Sequence, residues 1–324
     1  MALILTGADV QSILEIGDAI DAVELAFIEI GRGTAIAPAR PNLYLPKYDG
    51  NLLLNCGYLE TSNSAGVKIA SSYAGNAKLG LPTVSALIAL YDARVGTLLS
   101  LMDGTYVTAL KTGASGAVAA KYLARPNSTT AGIIGTGVQG ETQIWGLTKV
   151  MPLKEVVAYD LDEARKAQFC ENISKRFGVK TISANSSEEV LRQAEIVVTA
   201  TTSRNPVFAG QALREGTHVN AIGAFTPDAR ELDEATIRMG KEVYVDNEEA
   251  VIAGDLKGPL DAGLLGKENV IHLGEVIARR KPGRRSDRQI TIFKSVGGAP
   301  YDIAVAAKVF ELARARGVGR EFEF

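Results

Sequence analysis

Residues 131–140 read Ala131-Gly132-Ile133-Ile134-Gly135-Thr136-Gly137-Val138-Gln139-Gly140, and this stretch decides the architecture. A short apolar run ends at Gly135, and Gly135, Gly137 and Gly140 fall in G-x-G-x-x-G spacing as a helical pattern begins. In such a turn the first glycine allows the tight bend and the second lets a pyrophosphate approach the backbone. The third lets helix and strand pack closely. The opening amides of the helix then face the phosphates, with Thr136, Val138 and Gln139 between the glycines. Alone the pattern is common; here the flanks complete it. The next strand pattern ends in Val157-Ala158-Tyr159-Asp160, about 20 residues beyond Gly140, where a carboxylate accepts from the ribose hydroxyls of a bound dinucleotide. A carboxylate there also repels a 2′-phosphate, which favours NAD over NADP, with Arg165 nearby tempering that choice.

Downstream, strand patterns at 156–160, 179–183, 195–201, 217–223, 242–246 and 289–295 follow one another, the first of them separated by helical patterns at 162–177 and 187–193. Alternation of this kind marks a doubly wound parallel sheet. Thr201, Thr202 and Ser203 follow one of these strands, and Ile222 and Gly223 end another. Ligands bind at the carboxyl ends of strands in open α/β sheets, so all five are candidate cofactor contacts.

Upstream the pattern differs. A helix over the region of Asp18 carries the apolar stripe Ile16, Ile20, Val23, Phe27 and Ile30, and the proline-bounded segment 38–46 must be extended, presenting Arg40. Strand patterns at 51–56, 65–73, 84–92 and 97–104 follow, the last two reading as a hairpin, and a small-residue helix runs from Thr105 to Ala124. A final helix places Ile303, Ala306, Val309, Phe310 and Ala313 on one face. The expected class is therefore α/β: a mixed, mostly antiparallel domain over 1–124, and a Rossmann-type doubly wound domain over 125–299. The helix in 300–324 is read as returning to the first domain.

Composition narrows the function. Against 35 Lys+Arg stand 37 Asp+Glu, a net charge of −2, which offers no basic excess for nucleic acid or an anionic membrane. Aromatic residues are 6%, too sparse for a base-stacking platform. Two cysteines, Cys56 and Cys170, and two histidines, His218 and His272, lack metal-ligand spacing and read as structural, the cysteines as small buried hydrophobes. The chain starts without a basic signal-peptide region and holds no apolar run of about 18 residues, so a soluble cytoplasmic protein is expected. Arg40, Lys68 and Lys111 are the cations to examine. In Gly66-Val67-Lys68-Ile69-Ala70 alternation sets Lys68 opposite Val67 and Ile69, on a face that is either solvent or a cleft where it binds a carboxylate or transfers a proton. Lys111, within the helix, reads as a solvated helix residue, and the charge run 278–288 as a solvated loop.

Several separated motifs resemble the ornithine cyclodeaminase/mu-crystallin family over nearly the whole length. They are Arg40-Pro41, Ala65-Gly66-Val67-Lys68, Lys78-Leu79-Gly80-Leu81-Pro82-Thr83-Val84, Leu101-Met102-Asp103-Gly104 and Thr108-Ala109-Leu110-Lys111-Thr112-Gly113-Ala114. Ala119-Ala120-Lys121-Tyr122-Leu123-Ala124, the glycine turn, Arg230-Glu231-Leu232-Asp233 and Thr291-Ile292-Phe293-Lys294-Ser295 complete the series. The resemblance implies a homodimer whose first domain, with the last helix, binds substrate and partner. It implies that Arg40, Lys68 and Lys111 hold a substrate carboxylate, that Lys68 is also the catalytic proton donor, and that Thr83, Asn55 and Phe225 lie on the substrate side. Lys111, Thr112, Ser295 and Gly297 join the cofactor set. Many relatives have arginine at position 111, so the lysine here forfeits a bidentate grip. The cyclising lyase branch has a glutamate where Asn55 stands and an aspartate where Phe225 stands. The implied activity is thus NAD(P)H-dependent reduction of a C=N bond, in a cyclic imino acid or the imine of a 2-oxo acid. A lyase that recycles bound NAD and a non-catalytic NAD(P)H-binding protein are the alternatives. No metal is implied.

Overall fold

The computed structural model describes residues 1–323. In chain order it contains β1 (Ala2–Leu5), α1 (Gly7–Ile13), α2 (Ile16–Arg32), β2 (Asn42–Leu45), β3 (Gly50–Leu59), β4 (Ser64–Tyr73), β5 (Val84–Asp92), β6 (Leu98–Asp103) and α3 (Thr105–Leu123). There follow β7 (Thr130–Ile134), α4 (Val138–Val150), β8 (Glu155–Tyr159), α5 (Glu163–Phe177), β9 (Lys180–Ser183), α6 (Ser187–Gln193), β10 (Ile196–Thr199) and β11 (His218–Ala221). The chain ends with α7 (Glu234–Gly240), β12 (Val243–Val245), α8 (Gly254–Asp261), β13 (Val270–His272), α9 (Leu273–Ile277), β14 (Thr291–Lys294), α10 (Ala299–Arg316) and β15 (Arg320–Phe322). Contacts divide it into two units, Met1–Lys111 with Gly298 onward, and Thr112–Gly297.

In the first unit, β2 to β6 form an antiparallel run that ends in the expected β5–β6 hairpin. The sheet then departs from the sequence reading. β1 adds in parallel to β6, and β15 closes that edge antiparallel to β1, giving the order β15-β1-β6-β5-β4-β3-β2. The sequence pattern shows neither β1 nor β15, because four and three residues are too few for alternation to show. α2 starts at Ile16, where Asp18 accepts from the Glu15 N–H at 3.3 Å, and stops at Gly33, whose φ of 78° ends the helix in a left-handed turn. The stripe Ile16, Ile20, Val23 and Phe27 is buried as its spacing requires.

α10 packs on β3 and β4, and two glycines let it come close. Gly57 and Gly66 sit opposite each other across these strands. A Cβ on Gly57 would lie 3.1 Å from the Ala299 backbone, and one on Gly66 would lie 2.8 Å from Ile303 Cδ1. The same faces carry Asn55 and Lys68, also directly opposed, so the side chains beside the glycines look onto the first turn of α10.

The second unit is an all-parallel eight-stranded sheet, order β13-β12-β14-β11-β10-β7-β8-β9. Its strands are sheathed on both sides; Val157, Val197, Val219, Val243 and Ile292 are fully buried, as parallel strands require. The chain runs outward from β7 to β8 and β9, then crosses to β10 on the other side of β7. This reversal makes the carboxyl ends of β7 and β10 the place where a ligand crevice opens.

Candidate active site

At that reversal Gly135 adopts φ 98°, and a Cβ on it would collide with the Ala200 carbonyl, so only glycine serves there. A Cβ on Gly140 would collide with the Gly135 carbonyl, which explains the third glycine. Gly137 faces open space, the condition for a phosphate to approach its backbone. A cavity of about 460 Å³ lies beside the turn, lined by Gly135, Gly137, Asp160, Arg165 and Thr201 to Ser203, among others. These features fit a dinucleotide: turn and α4 amides for the pyrophosphate, Asp160 at the ribose end. Asp160 is already engaged. It accepts from the Thr136 N–H and hydroxyl at 2.7 and 2.9 Å, from the Asp162 N–H at 3.0 Å, and from Arg165 Nε and Nη2 at 3.2 and 2.7 Å. Burial opposes its charge, but Arg165 and these donors outweigh burial and hold the carboxyl far below the ordinary range.

The loops after β10 and β11 are tied together from beneath by one carboxylate. Fully buried Glu231 accepts from the Thr199 hydroxyl at 2.9 Å, the Thr201 N–H at 2.6 Å, and the Gly223 and Ala224 N–H groups at 2.7 and 3.3 Å. The backbone of Glu231 and Leu232 is held in turn by Asp255, at 2.7 and 2.8 Å, and Asp255 pairs with Lys294 at 2.9 Å. Burial pushes the Glu231 carboxyl up, against the pull of Lys294. Beyond β14, Asp246 accepts from the Ser295 hydroxyl at 2.6 Å and the Gly297 N–H at 2.9 Å.

In the first unit Lys68 is 4% exposed, and its Nζ lies 2.9 and 2.8 Å from the two oxygens of Asp302, itself wholly buried. Lys111 Nζ approaches the same carboxylate at 3.7 Å, and the Asn55 amide donates to it at 3.4 Å. The other amide atom, Asn55 Oδ1, is buried and accepts from no group among the described residues. Burial brings Lys68 down to about 8; Asp302 resists the fall, while Lys111 and Arg40 reinforce it. For Asp302 burial would raise the carboxyl, but Lys111 and Lys68 hold it low. The cluster can bind an anion and exchange a proton near neutral pH.

The sequence profile of the ornithine cyclodeaminase/mu-crystallin family matches residues 1–317. The chain belongs to this family. Alanine dehydrogenase of Archaeoglobus fulgidus is 42% identical over 323 residues, 99% of this chain and 98% of that protein. The structure of Thermococcus litoralis Δ1-pyrroline-2-carboxylate reductase with NADH and L-proline is similar at TM-score 0.94 and 40% identity, covering 99% of this chain and 100% of that one. An archaeal alanine dehydrogenase dimer with bound NAD gives TM-score 0.94 and 40% identity, over 100% and 99% of the two chains.

Within the ornithine cyclodeaminase/mu-crystallin pattern, the structure gathers Lys68, Lys111 and Asn55 on one carboxylate, with Arg40 near enough to act on Lys68. It seats Thr201 and Gly223 on Glu231. Thr112 lies in α3, its carbonyl accepting from Gln143 at 2.7 Å; Val138 is exposed, Ile222 buried. Thr83 is exposed ahead of β5, its carbonyl accepting from the Tyr73 N–H at 2.8 Å, and Phe225 is 61% exposed after β11. Neither is hydrogen-bonded to the lysine cluster. Three sequence readings are corrected. Lys111 is buried rather than solvated, because it points to Asp302. Cys56 and Cys170 are half-buried rather than buried. Within the charge run, Arg284 is partly buried, donating to the carbonyls of Leu123 at 2.6 Å and Gly216 at 3.2 Å. Among the described residues no group of three or more His, Cys, Asp or Glu side chains could hold a metal ion, and no helix is long and apolar enough to cross a membrane.

Proposed function

We infer that this protein is an NAD(H)-dependent oxidoreductase that reduces a C=N bond beside a carboxylate, in a cyclic imino acid or the imine of a 2-oxo acid. The buried cationic cluster carries the reading. Three cations close enough to repel one another, Lys68, Lys111 and Arg40, favour an incoming carboxylate, and Asn55 Oδ1 is a buried acceptor in need of an N–H donor. An imino acid brings both: a carboxylate for the cations and, once protonated, an N–H for Asn55. Lys68 supplies the proton to nitrogen, and at about 8 it is charged at neutral pH yet able to give the proton up. The 135–140 turn, Thr201 to Ser203, Ile222 and Gly223 would hold the dinucleotide, which would supply the hydride when bound. Lys111, Thr112, Ser295 and Gly297 complete its setting, and Asp160 makes NADH its favoured form. The cyclising lyase lacks support here, since an amide stands at Asn55 and an exposed phenyl ring at Phe225, neither able to carry charge for proton transfer.

The protein acts in the cytoplasm, where NADH is at hand, and as a homodimer, as the archaeal alanine dehydrogenase does. The test is oxidation of NADH by the purified chain with pyrroline-2-carboxylate, with piperideine-2-carboxylate, and with pyruvate plus ammonia. Rapid oxidation with a cyclic imine marks a ketimine reductase, and with pyruvate and ammonia alone an alanine dehydrogenase. Ornithine consumed with no net change in NADH would overturn the reading in favour of the lyase.

A further inference from the structure

We propose that Arg165 is a movable cover on Asp160, and that it lets the ribose end of the second unit's cavity accept NADPH as well as NADH. The proposal rests on the dinucleotide reading above and goes beyond it by assigning the residue that sets the choice between the two cofactors. A carboxylate offers about four acceptor positions on its two oxygens. Asp160 already receives five donors: two from Thr136, one from the Asp162 backbone and two from Arg165. No acceptor position is left for a ribose diol while Arg165 stays in place.

The five donors differ in how easily they move. The Thr136 and Asp162 N–H groups belong to the glycine turn and to the entry of α5, and both are fixed by the fold. Arg165 reaches Asp160 with a side chain that is 53% exposed, from the first turn of α5, where its own N–H is pinned by Asp162 at 3.0 Å. The backbone is anchored and the guanidinium is free to swing. Both residues line the same cavity.

Two occupants then use the pair differently. The 2′- and 3′-hydroxyls of NADH displace the guanidinium and donate to Asp160. The 2′-phosphate of NADPH draws the same guanidinium away and takes its fork, the geometry in which arginine binds phosphate best. Asp160 then keeps its Thr136 and Asp162 donors and is not left bare beside the new charge. Other acidic groups at the entry of α5 are committed elsewhere: Asp162 caps Arg165, and Glu163 pairs with Lys166 at 2.9 Å. A carboxylate without this arginine would disfavour the 2′-phosphate.

Binding tests this without recourse to turnover. NADH, NADPH and adenosine 2′,5′-bisphosphate are titrated calorimetrically into the full chain and into Arg165→Gln and Arg165→Lys. The wild type is expected to bind NADPH within about tenfold of NADH. Arg165→Gln should weaken NADPH and the bisphosphate by about tenfold, the worth of one charge-assisted contact, while NADH binds as tightly or more tightly. Arg165→Lys, which keeps the charge but loses the fork, should fall between. NADH binding with no NADPH binding in the wild type would overturn the proposal, as would equal changes for both cofactors in Arg165→Gln. If neither cofactor binds the wild type, the dinucleotide reading falls and this proposal falls with it.

Discussion

Lys68 and Asp302 show how one residue's chemistry is set by a partner far away in sequence. A lysine buried alone would lose its proton; Asp302 gives back part of what burial removes, and the balance sits at about 8. The sign of the pH response follows. Reduction needs the charged lysine, so the reductive rate should hold below pH 8 and fall as pH rises through about 8. Amine oxidation needs the neutral lysine and should rise through the same range. Asp302→Asn removes the charge that holds the lysine up, so the alkaline limb of the reductive profile should move to lower pH. An unmoved limb would show that another group titrates. Breaking a buried pair also costs stability, about 3 kcal/mol, readable as a lower denaturant midpoint. Lys68→Met should lower turnover by about 10²- to 10⁴-fold, the usual worth of a placed acid, with little change in NADH affinity. Equal loss of both would deny Lys68 its role. Lys68 was legible because a lone lysine interrupts an apolar strand. Asp302 left a fainter trace. It lies four residues before Ala306 on the stripe that continues through Val309 and Ala313, an acid where the helix is otherwise apolar. A single sequence shows that irregularity but not which lysine answers it.

Elements turn these residue chemistries into geometry through close approach. Asp302 reaches Lys68 because α10 sinks onto β3 and β4 over Gly57 and Gly66. A methyl at Gly66 would press on the Ala89 carbonyl and on Ile303, so Gly66→Ala must lift the helix or bend the strand. The expected cost is about 1–3 kcal/mol, with a larger fall in turnover than in cofactor affinity as Asp302 shifts from Lys68. Gly17→Ala is the control. Nothing lies within 4 Å of the added methyl, and as a helix position it should be neutral or stabilised by up to about 1 kcal/mol. Thermal unfolding of the two variants with parallel turnover assays separates a packing effect from loss of the cluster. If Gly66→Ala matches wild type in both, the glycines do not set the seat of α10. The sequence showed the helices and strands of this arrangement through their periods, since stripe and alternation are local properties. It did not show what the glycines were for, because a close approach involves two segments and only one is visible at a time. The turn at 135–140 is the exception: its strand, bend, helix and acid are all neighbours in sequence, and there the reading extended to individual glycines.

For the whole molecule the same locality decides what could be foreseen. The parallel sheet is built from consecutive strand–helix steps, so its pattern was readable from Ala131 onward, save β13, a three-residue strand. The first unit closes only when the chain returns after residue 298, and its first and last strands, β1 and β15, hydrogen-bond across nearly the full length of the protein. Its seven-stranded sheet leaves one face turned away from α10. On that face Leu43, Ile69 and Leu87 are each 39–57% exposed, and Ile69 stands directly opposite Leu87 across β4 and β5. Large side chains gathered in this way on an open sheet mark a surface that another protein covers. Under the homodimer proposed above, a second copy is the occupant that would cover it. A charge there should then act on assembly before it acts on folding. Ile69→Glu, on a solvent-facing position of a free monomer, would change stability by less than about 0.5 kcal/mol. At a dimer seam it buries two unpaired carboxylates and should drive the protein to monomer at micromolar concentration, with the far-ultraviolet spectrum intact. Light scattering of the wild type and of Ile69→Glu separates the cases: a dimer converted to monomer places the seam on this face, whereas a dimer untouched by the charge moves it elsewhere, and a monomeric wild type leaves the apolar face to a different partner.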